Sequence, residues 1–170
     1  EFSANYLYLA MSAYCEERNF EGFAKWMRLQ ADEERTHAMR IYDFVLDRGG
    51  RVTLEGIAEP AAKWKTALEV FDAARKHEQM VSASINGLYA RALSEKDYAS
   101  QVMLQWFITE QVEEEKTSTA LAERLRLGER LKVDWQIDSL PLEATVPALI
   151  LQPLLENAVY HGIEPLEKGG

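Results

Sequence analysis

From Glu1 to about Leu127 the apolar residues recur at steps of three and four, the period of a helix with one buried face. Pro60 is the one proline in that stretch. Four helices are predicted. The first covers Glu1 to about Arg18 and gives way to a short turn at Asn19-Phe20-Glu21-Gly22. The second runs from about Glu21 to Arg48 and stops at Gly49-Gly50, residues suited to the left-handed backbone that ends helices. Residues 51–62 (RVTLEGIAEPAA) show no helical period, and a connection that long reads as a crossover. The third helix is expected from about Lys63 to Leu93, the fourth from about Tyr98 to Leu127, with Asp97 as N-cap after the tight turn Ser94-Glu95-Lys96-Asp97. Two short connections and one long one predict an all-α four-helix bundle with a single crossover.

At about Gly128 the pattern changes. Leu131 to Ile137 alternates apolar and polar, which reads as a strand, and Asp138-Ser139-Leu140-Pro141 breaks it. Val146 to about His161 reads as a further helix, with Pro147 near its start and Gly162 after its end. Two domains are therefore expected: a bundle over residues 1–122 and a short strand-plus-helix piece of an α+β domain over 123–170.

Composition narrows the function. With 170 residues, 47% hydrophobic and 28% charged, the chain has the makings of a packed core. A net charge of −9 argues against nucleic acid as a partner, because phosphate contacts need a basic face, and it suits attraction of cations. The single cysteine, Cys15, rules out a disulfide within the chain and fits a reducing, cytoplasmic setting. No apolar run reaches the roughly 18 residues of a membrane span. The start, Glu1-Phe2-Ser3-Ala4, lacks both Met and a signal-peptide pattern, so a clipped N-terminus is expected.

The inward stripes carry the chemistry. They read Glu1, Ala4 or Asn5, Tyr8, Met11, Cys15 on the first helix and Phe23, Met27, Gln30, Glu34, His37, Ile41, Phe44 on the second. The third gives Phe71, Ala74, Glu78, Val81, Ile85, Leu88, Ala92, and the fourth Phe107, Gln111, Glu114, Leu121, Leu125. Each is apolar except at one level, where it carries a carboxylate or an imidazole. Ionised carboxylates in a bundle core cost several kcal/mol each unless compensated, and several at one level also repel one another. A pair of divalent ions removes both penalties. Glu34-Arg35-Thr36-His37 is a Glu-x-x-His motif, of which di-iron carboxylate bundles use two. Here the fourth helix offers Glu110-Gln111-Val112-Glu113-Glu114 without a histidine, so an asymmetric site is expected. Oxygen and imidazole donors suit iron or manganese. Taken singly, Glu34, Glu78 or Glu114 is an ordinary solvated face residue. Their conjunction on inward stripes is what points to metal. His77, beside the stripe, reads as surface. Trp26, Trp64 and Trp106 read as packing residues, and Cys15 as a small core residue.

The segments YLAMSAYC, EGFAKWMRLQADEERTHAMRIYDFVLDRGGRV and LQWFITEQVEEEK closely resemble bacterial non-haem ferritins, over about residues 1–120 and all four helices. The resemblance implies a di-iron centre with one iron on Glu1, Glu34 and His37 and the other on Glu34, Glu78 and Glu114, Gln111 lying nearby. Tyr8 matches the tyrosine beside the centre, and Glu33, Glu110 and Glu113 match a third, weaker iron site. It also implies iron storage, oxidation of Fe(II) by dioxygen or peroxide, and self-association into a cage of twenty-four subunits. The family's first helix starts before the glutamate matched by Glu1, and its short fifth helix has no counterpart here. A dimer or an incompletely assembled species is therefore expected.

From about Glu123, ERLRLGERLKVDWQIDSLPLEATVPALILQPLLENAVYHGIEPLEKGG resembles the N-box region of sensor histidine kinases paired with LytTR-type regulators. That resemblance implies Glu156 as general base and Asn157 as magnesium ligand, with ATP and Mg as cofactors of an intact domain. The glycine-rich boxes that should follow are absent, so kinase activity is not expected. Leu121 to Leu127 is compatible with both families, and a chimera joined there is the expectation.

Overall fold

A computed structural model describes residues 1–60 and 63–130 of the chain. Every regular element among them is an α-helix: α1 (Phe2–Glu17), α2 (Glu21–Asp47), α3 (Ala67–Ser94) and α4 (Tyr98–Arg130). Glu1–Ala120 form one compact unit, and a second begins at Leu121. The first unit is a four-helix bundle. The strand expected over 131–137, the helix over 146–161, and with them Glu156 and Asn157, lie outside the described residues.

The turn between α1 and α2 is made by Asn19 in the left-handed region (φ 58°), which reverses the chain. The two helices then run antiparallel, tied by Asn5 Nδ2 donating to the Ala31 carbonyl (2.6 Å) and Ser12 Oγ to that of Ala24 (2.9 Å). Lys96 (φ 57°) does the same between α3 and α4, which are tied by Gln101 Nε2 donating to the Ala92 carbonyl (3.2 Å). Asp97 caps α4 as expected, accepting from the Ser100 N–H (3.2 Å) and hydroxyl (2.7 Å). Those bonds hold its carboxyl below the usual carboxylate range, with Arg48 adding to the effect.

α2 ends where Gly49-Gly50 required. Gly49 adopts φ 73°, and the Gly50 N–H reaches back to the Val45 carbonyl (2.8 Å), closing the last turn. A Cβ on Gly50 would lie 2.8 Å from that oxygen. α2 and α3 run parallel: Phe23 packs on Phe71 (centroids 4.9 Å apart), and Glu34, farther along α2, is in electrostatic reach of Glu78, farther along α3. The chain must therefore return the length of α2, about 40 Å at 1.5 Å per residue, before α3 can start. Residues 48–66 make that crossover.

α3 starts at Ala67, later than the expected Lys63. Thr66 is its N-cap, accepting from the Glu69 N–H (3.2 Å), while Glu69 Oε2 accepts from the Lys65 N–H (2.6 Å). α4 runs on past the expected end at Leu127, through Gly128 to Arg130. Glycine in a helix costs about 1 kcal/mol but leaves the hydrogen-bond ladder intact, so it did not stop the helix. Leu88, expected inside, is 52% exposed, and Tyr89 is the residue packed against the core. A helix advances 3.6 residues per turn, so a strict alternation of four and three drifts off the buried face.

The core has three storeys. Met11, Cys15, Ala24, Met27, Phe71 and Ala74 fill one end. Ile85, Ala92, Leu104 and Phe107 fill the other, with Ile41 packed on them. Between lies a buried polar storey. No helix among the described residues is long and apolar enough to cross a membrane.

Candidate metal centre

The polar storey takes one or two side chains from each helix. Glu34 and His37 lie one turn apart on the inner face of α2, each 3% exposed. Glu78 of α3 is fully buried, and Gln111 and Glu114 of α4 are buried one turn apart on the face that also buries Phe107. α1 contributes Tyr8, 1% exposed, and Glu1 just ahead of its first turn. The Glu-x-x-His spacing works because side chains three residues apart share a helix face.

One donor atom each from Glu1, Glu34 and His37 can be chosen so that all lie within 4.8 Å of one another. His37 Nδ1 stands 3.8 Å from Glu34 Oε2, too far for a hydrogen bond. Glu34 Oε2 and Glu1 Oε2 are buried without a hydrogen-bond partner, although such atoms are nearly always satisfied. Glu78 is better held. It accepts from the Tyr8 hydroxyl (2.5 Å) and from Gln111 Nε2 (3.2 Å).

This crowding of acids sets the electrostatics. Burial pushes the Glu34 carboxyl up to about 10, helped by the adjacent Glu1 carboxyl and by the charge of Glu78. Burial likewise lifts Glu114 to about 8, with Glu78, Glu33 and Glu34 adding to the shift and His37 opposing it. The Tyr8 hydroxyl is raised well above its ordinary range by burial and then by Glu78. The storey thus holds protons where cations would be better compensation. Its donors, carboxylate oxygens and one imidazole, match the preference of divalent iron or manganese.

The outer carboxylates are placed less uniformly. Glu33 is exposed and Glu110 half-buried, and together with His37 they form a second group whose donor atoms lie within 4.8 Å of one another. Glu33 also accepts from Gln30 Nε2 (2.8 Å). Glu113, expected with them, is exposed and outside that group.

Some neighbours were not singled out from the sequence. His77, read as surface, is half-buried, with Nε2 enclosed and lacking a hydrogen-bond partner. Its ring meets Tyr8 edge-on at 6.5 Å, and burial lowers its pKa. Trp106, read as packing, does pack: it lies edge-on to His37 (5.3 Å) and carries the Arg40 guanidinium on its face (4.0 Å). Ser82 also reaches the storey's edge, accepting from Gln111, and Asn5, one of the two alternatives for its turn of the inward stripe, donates to the Ala31 carbonyl. Short polar residues on a helix give no periodic signal that distinguishes such bonds from solvent exposure. Cys15 is fully buried, as a small core residue would be.

Four long helices, one crossover and a core storey of acids with a single imidazole place the chain in the class of carboxylate-rich four-helix bundles. The ferritin-like domain family matches residues 1–128, running past Glu123, where the kinase-like resemblance begins. A bacterial non-heme ferritin of Staphylococcus haemolyticus is 42% identical over 117 residues, 69% of this chain and 70% of that one. An open-pore ferritin from the archaeon Archaeoglobus fulgidus superposes with a TM-score of 0.73 at 43% identity, over 74% of this chain and 78% of that one. A Chlorobium tepidum ferritin superposes with a TM-score of 0.76 at 29% identity, over 95% and 90%. The chain belongs to the ferritin family.

Proposed function

We propose that the chain is an iron-storage subunit that binds Fe(II) as substrate in its polar storey and oxidises it there. One observation carries this. Glu1, Glu34 and His37 crowd their donors within 4.8 Å inside a bundle core, and two of the carboxylate oxygens have no partner. A metal-free protein gains nothing from that arrangement, whereas two divalent ions would neutralise the acids and take up the unused lone pairs.

Glu1, Glu34 and His37 would hold one iron. Glu34, Glu78 and Glu114 would hold the other, with Gln111 beside it and Glu34 as bridge. Each Fe(II) gives up one electron. The pair reduces one dioxygen to hydrogen peroxide with two protons, or one hydrogen peroxide to two waters with two protons. Protons displaced from Glu34 and Glu114 on binding leave those carboxylates free as ligands. Tyr8, by its hydrogen bond, keeps the Glu78 carboxylate aimed into the storey. Glu33 and Glu110, next to His37, and Glu113 supply a third, weaker position. Storage of the ferric product requires an enclosed volume that one bundle lacks, so the partners are further copies of the chain.

Anaerobic metal-free protein, mixed with Fe(II) and then oxygen and followed by near-ultraviolet absorbance, tests this. A fast phase is expected in the unsubstituted chain, and Glu34→Ala and His37→Ala should each abolish it. A fast phase that survives both substitutions means the oxidation occurs elsewhere.

A further inference from the structure

Resting on the reading above, we propose that Ser82 is a positioning residue: its hydroxyl holds the Gln111 amide and so strengthens the metal position bounded by Glu34, Glu78 and Glu114. Gln111 is buried, and its Nε2 faces three acceptors: Glu78 Oε2 at 3.2 Å, the Glu78 carbonyl at 3.3 Å and Ser82 Oγ at 3.3 Å. An amide nitrogen carries two hydrogens. Two of the three acceptors belong to Glu78, and Ser82, one turn farther along α3, supplies the third. Turning the amide over would set Gln111 Oε1 against the Glu78 carbonyl and carboxylate, lone pair against lone pair. Oε1 is thereby kept as the free acceptor of the amide.

The contribution of Ser82 differs between the two states of the site. In the metal-free protein the Glu78 carboxylate accepts from Gln111. A cation coordinated by Glu78 competes for that same oxygen. Ser82 Oγ is then the side-chain acceptor still available to the amide. Without it, binding the ion strands a buried N–H, which lowers affinity by about five- to tenfold. The position on Glu1, Glu34 and His37 does not involve this amide and should not change.

Ser82 and Gln111 also line a cleft of about 90 Å³ between α3 and α4, shared with Asn86 and Glu115. A water there could replace a deleted hydroxyl, so the informative variants fill the space. Ser82→Thr keeps the hydroxyl, and Ser82→Val has the same shape without it.

The test is anaerobic titration of the full metal-free chain with Co(II), followed by visible absorption and calorimetry. The unsubstituted chain should take up two ions with distinguishable spectra, and Ser82→Thr should match it. Ser82→Val should bind one ion unchanged and the other about five- to tenfold more weakly. Should Ser82→Val fold poorly, Ser82→Cys, which fills the same space with a much weaker acceptor, replaces it, with a weakening of the same position expected. Equal titrations for the threonine and valine variants would overturn the proposal, as would a valine variant that weakens both positions alike. An unsubstituted chain that binds no Co(II) would overturn the metal-site reading itself, which is a separate result.

Discussion

Two storeys of one bundle are built by the same helices at the same spacing, yet they are held together differently. Met11, Met27, Phe71 and Ala74 fill the first with apolar atoms, and burial alone stabilises it. Tyr8, Glu34, His37, Glu78, Gln111 and Glu114 fill the second, equally buried, with groups that water would solvate better. Partners are shared out unevenly there. Glu78 has two hydrogen-bond donors, while Glu34 and Glu1 each keep a buried oxygen with none. Burial is thus no guide to what a storey contributes. The apolar one stabilises the fold, and the acidic one, without metal, costs it stability.

Substitution at the bridge separates the two most sharply. Glu34→Gln should cut the rate of fast Fe(II) oxidation by about 100-fold or more, since even residues behind metal ligands change affinity or activity by 10- to 100-fold. The same change should raise the metal-free melting temperature near neutral pH, because an amide is buried neutral without having to take up a proton on folding. A lower melting temperature would mean that Glu34 is already well compensated.

The mirror-image change lies in the apolar storey. Phe71→Ala should cost about 3–5 kcal/mol in denaturant unfolding, through lost transfer energy and the cavity left behind. The protein that remains folded should still bind Co(II) with the same stoichiometry. If binding fails along with stability, the storeys are not separable.

The response to pH comes next. Glu34, lifted to about 10, and Glu114, lifted to about 8, hold protons in the folded chain at pH values where unfolded glutamates, near 4.5, have lost them. The folded state then binds more protons than the unfolded one, so this contribution is fully present below about pH 4.5 and is lost as pH rises through about 8 and then 10. Melting of the metal-free protein should fall across that range, and Glu34→Gln should flatten the slope. With Co(II) bound the slope should diminish or reverse, because the ion takes the protons' place. Melting that rises with pH in the metal-free chain would show that these acids are ionised when folded.

The smallest effect is expected far from both storeys. Thr66→Ala removes the cap of α3 and should cost about 1 kcal/mol without altering Co(II) affinity.

Much of this was legible in the residues. The inward stripes placed Glu34, His37, Glu78, Gln111 and Glu114 on buried faces because burial in a bundle follows helical period, whatever the chemistry of the side chain. Gly49-Gly50 and Asp97 marked their boundaries through backbone geometry and capping. Helical period alone carries α3 back to Lys63, but Thr66-x-x-Glu69 is the capping signal that starts it at Ala67. Leu88 falls off the buried face because a strict four-three alternation outruns a straight helix. His77 reads as surface because an adjacent position points about 100° away from the stripe, and in a crowded bundle that leaves it half-buried. Glu113 joins Glu33 and Glu110 by resemblance, while the donor atoms that lie within 4.8 Å of one another are those of Glu33, His37 and Glu110. Which polar atoms lack partners depends on side-chain direction, which periodicity does not carry.

The convergence of acids and imidazole on cations is tested most directly by diffraction from crystals soaked anaerobically with Fe(II), recorded across the iron absorption edge. Two anomalous peaks are expected in the polar storey, one within bonding distance of Glu34 and His37 and one of Glu34, Glu78 and Glu114. Iron found only at exposed carboxylates, with that storey empty and its side chains unmoved, would contradict it.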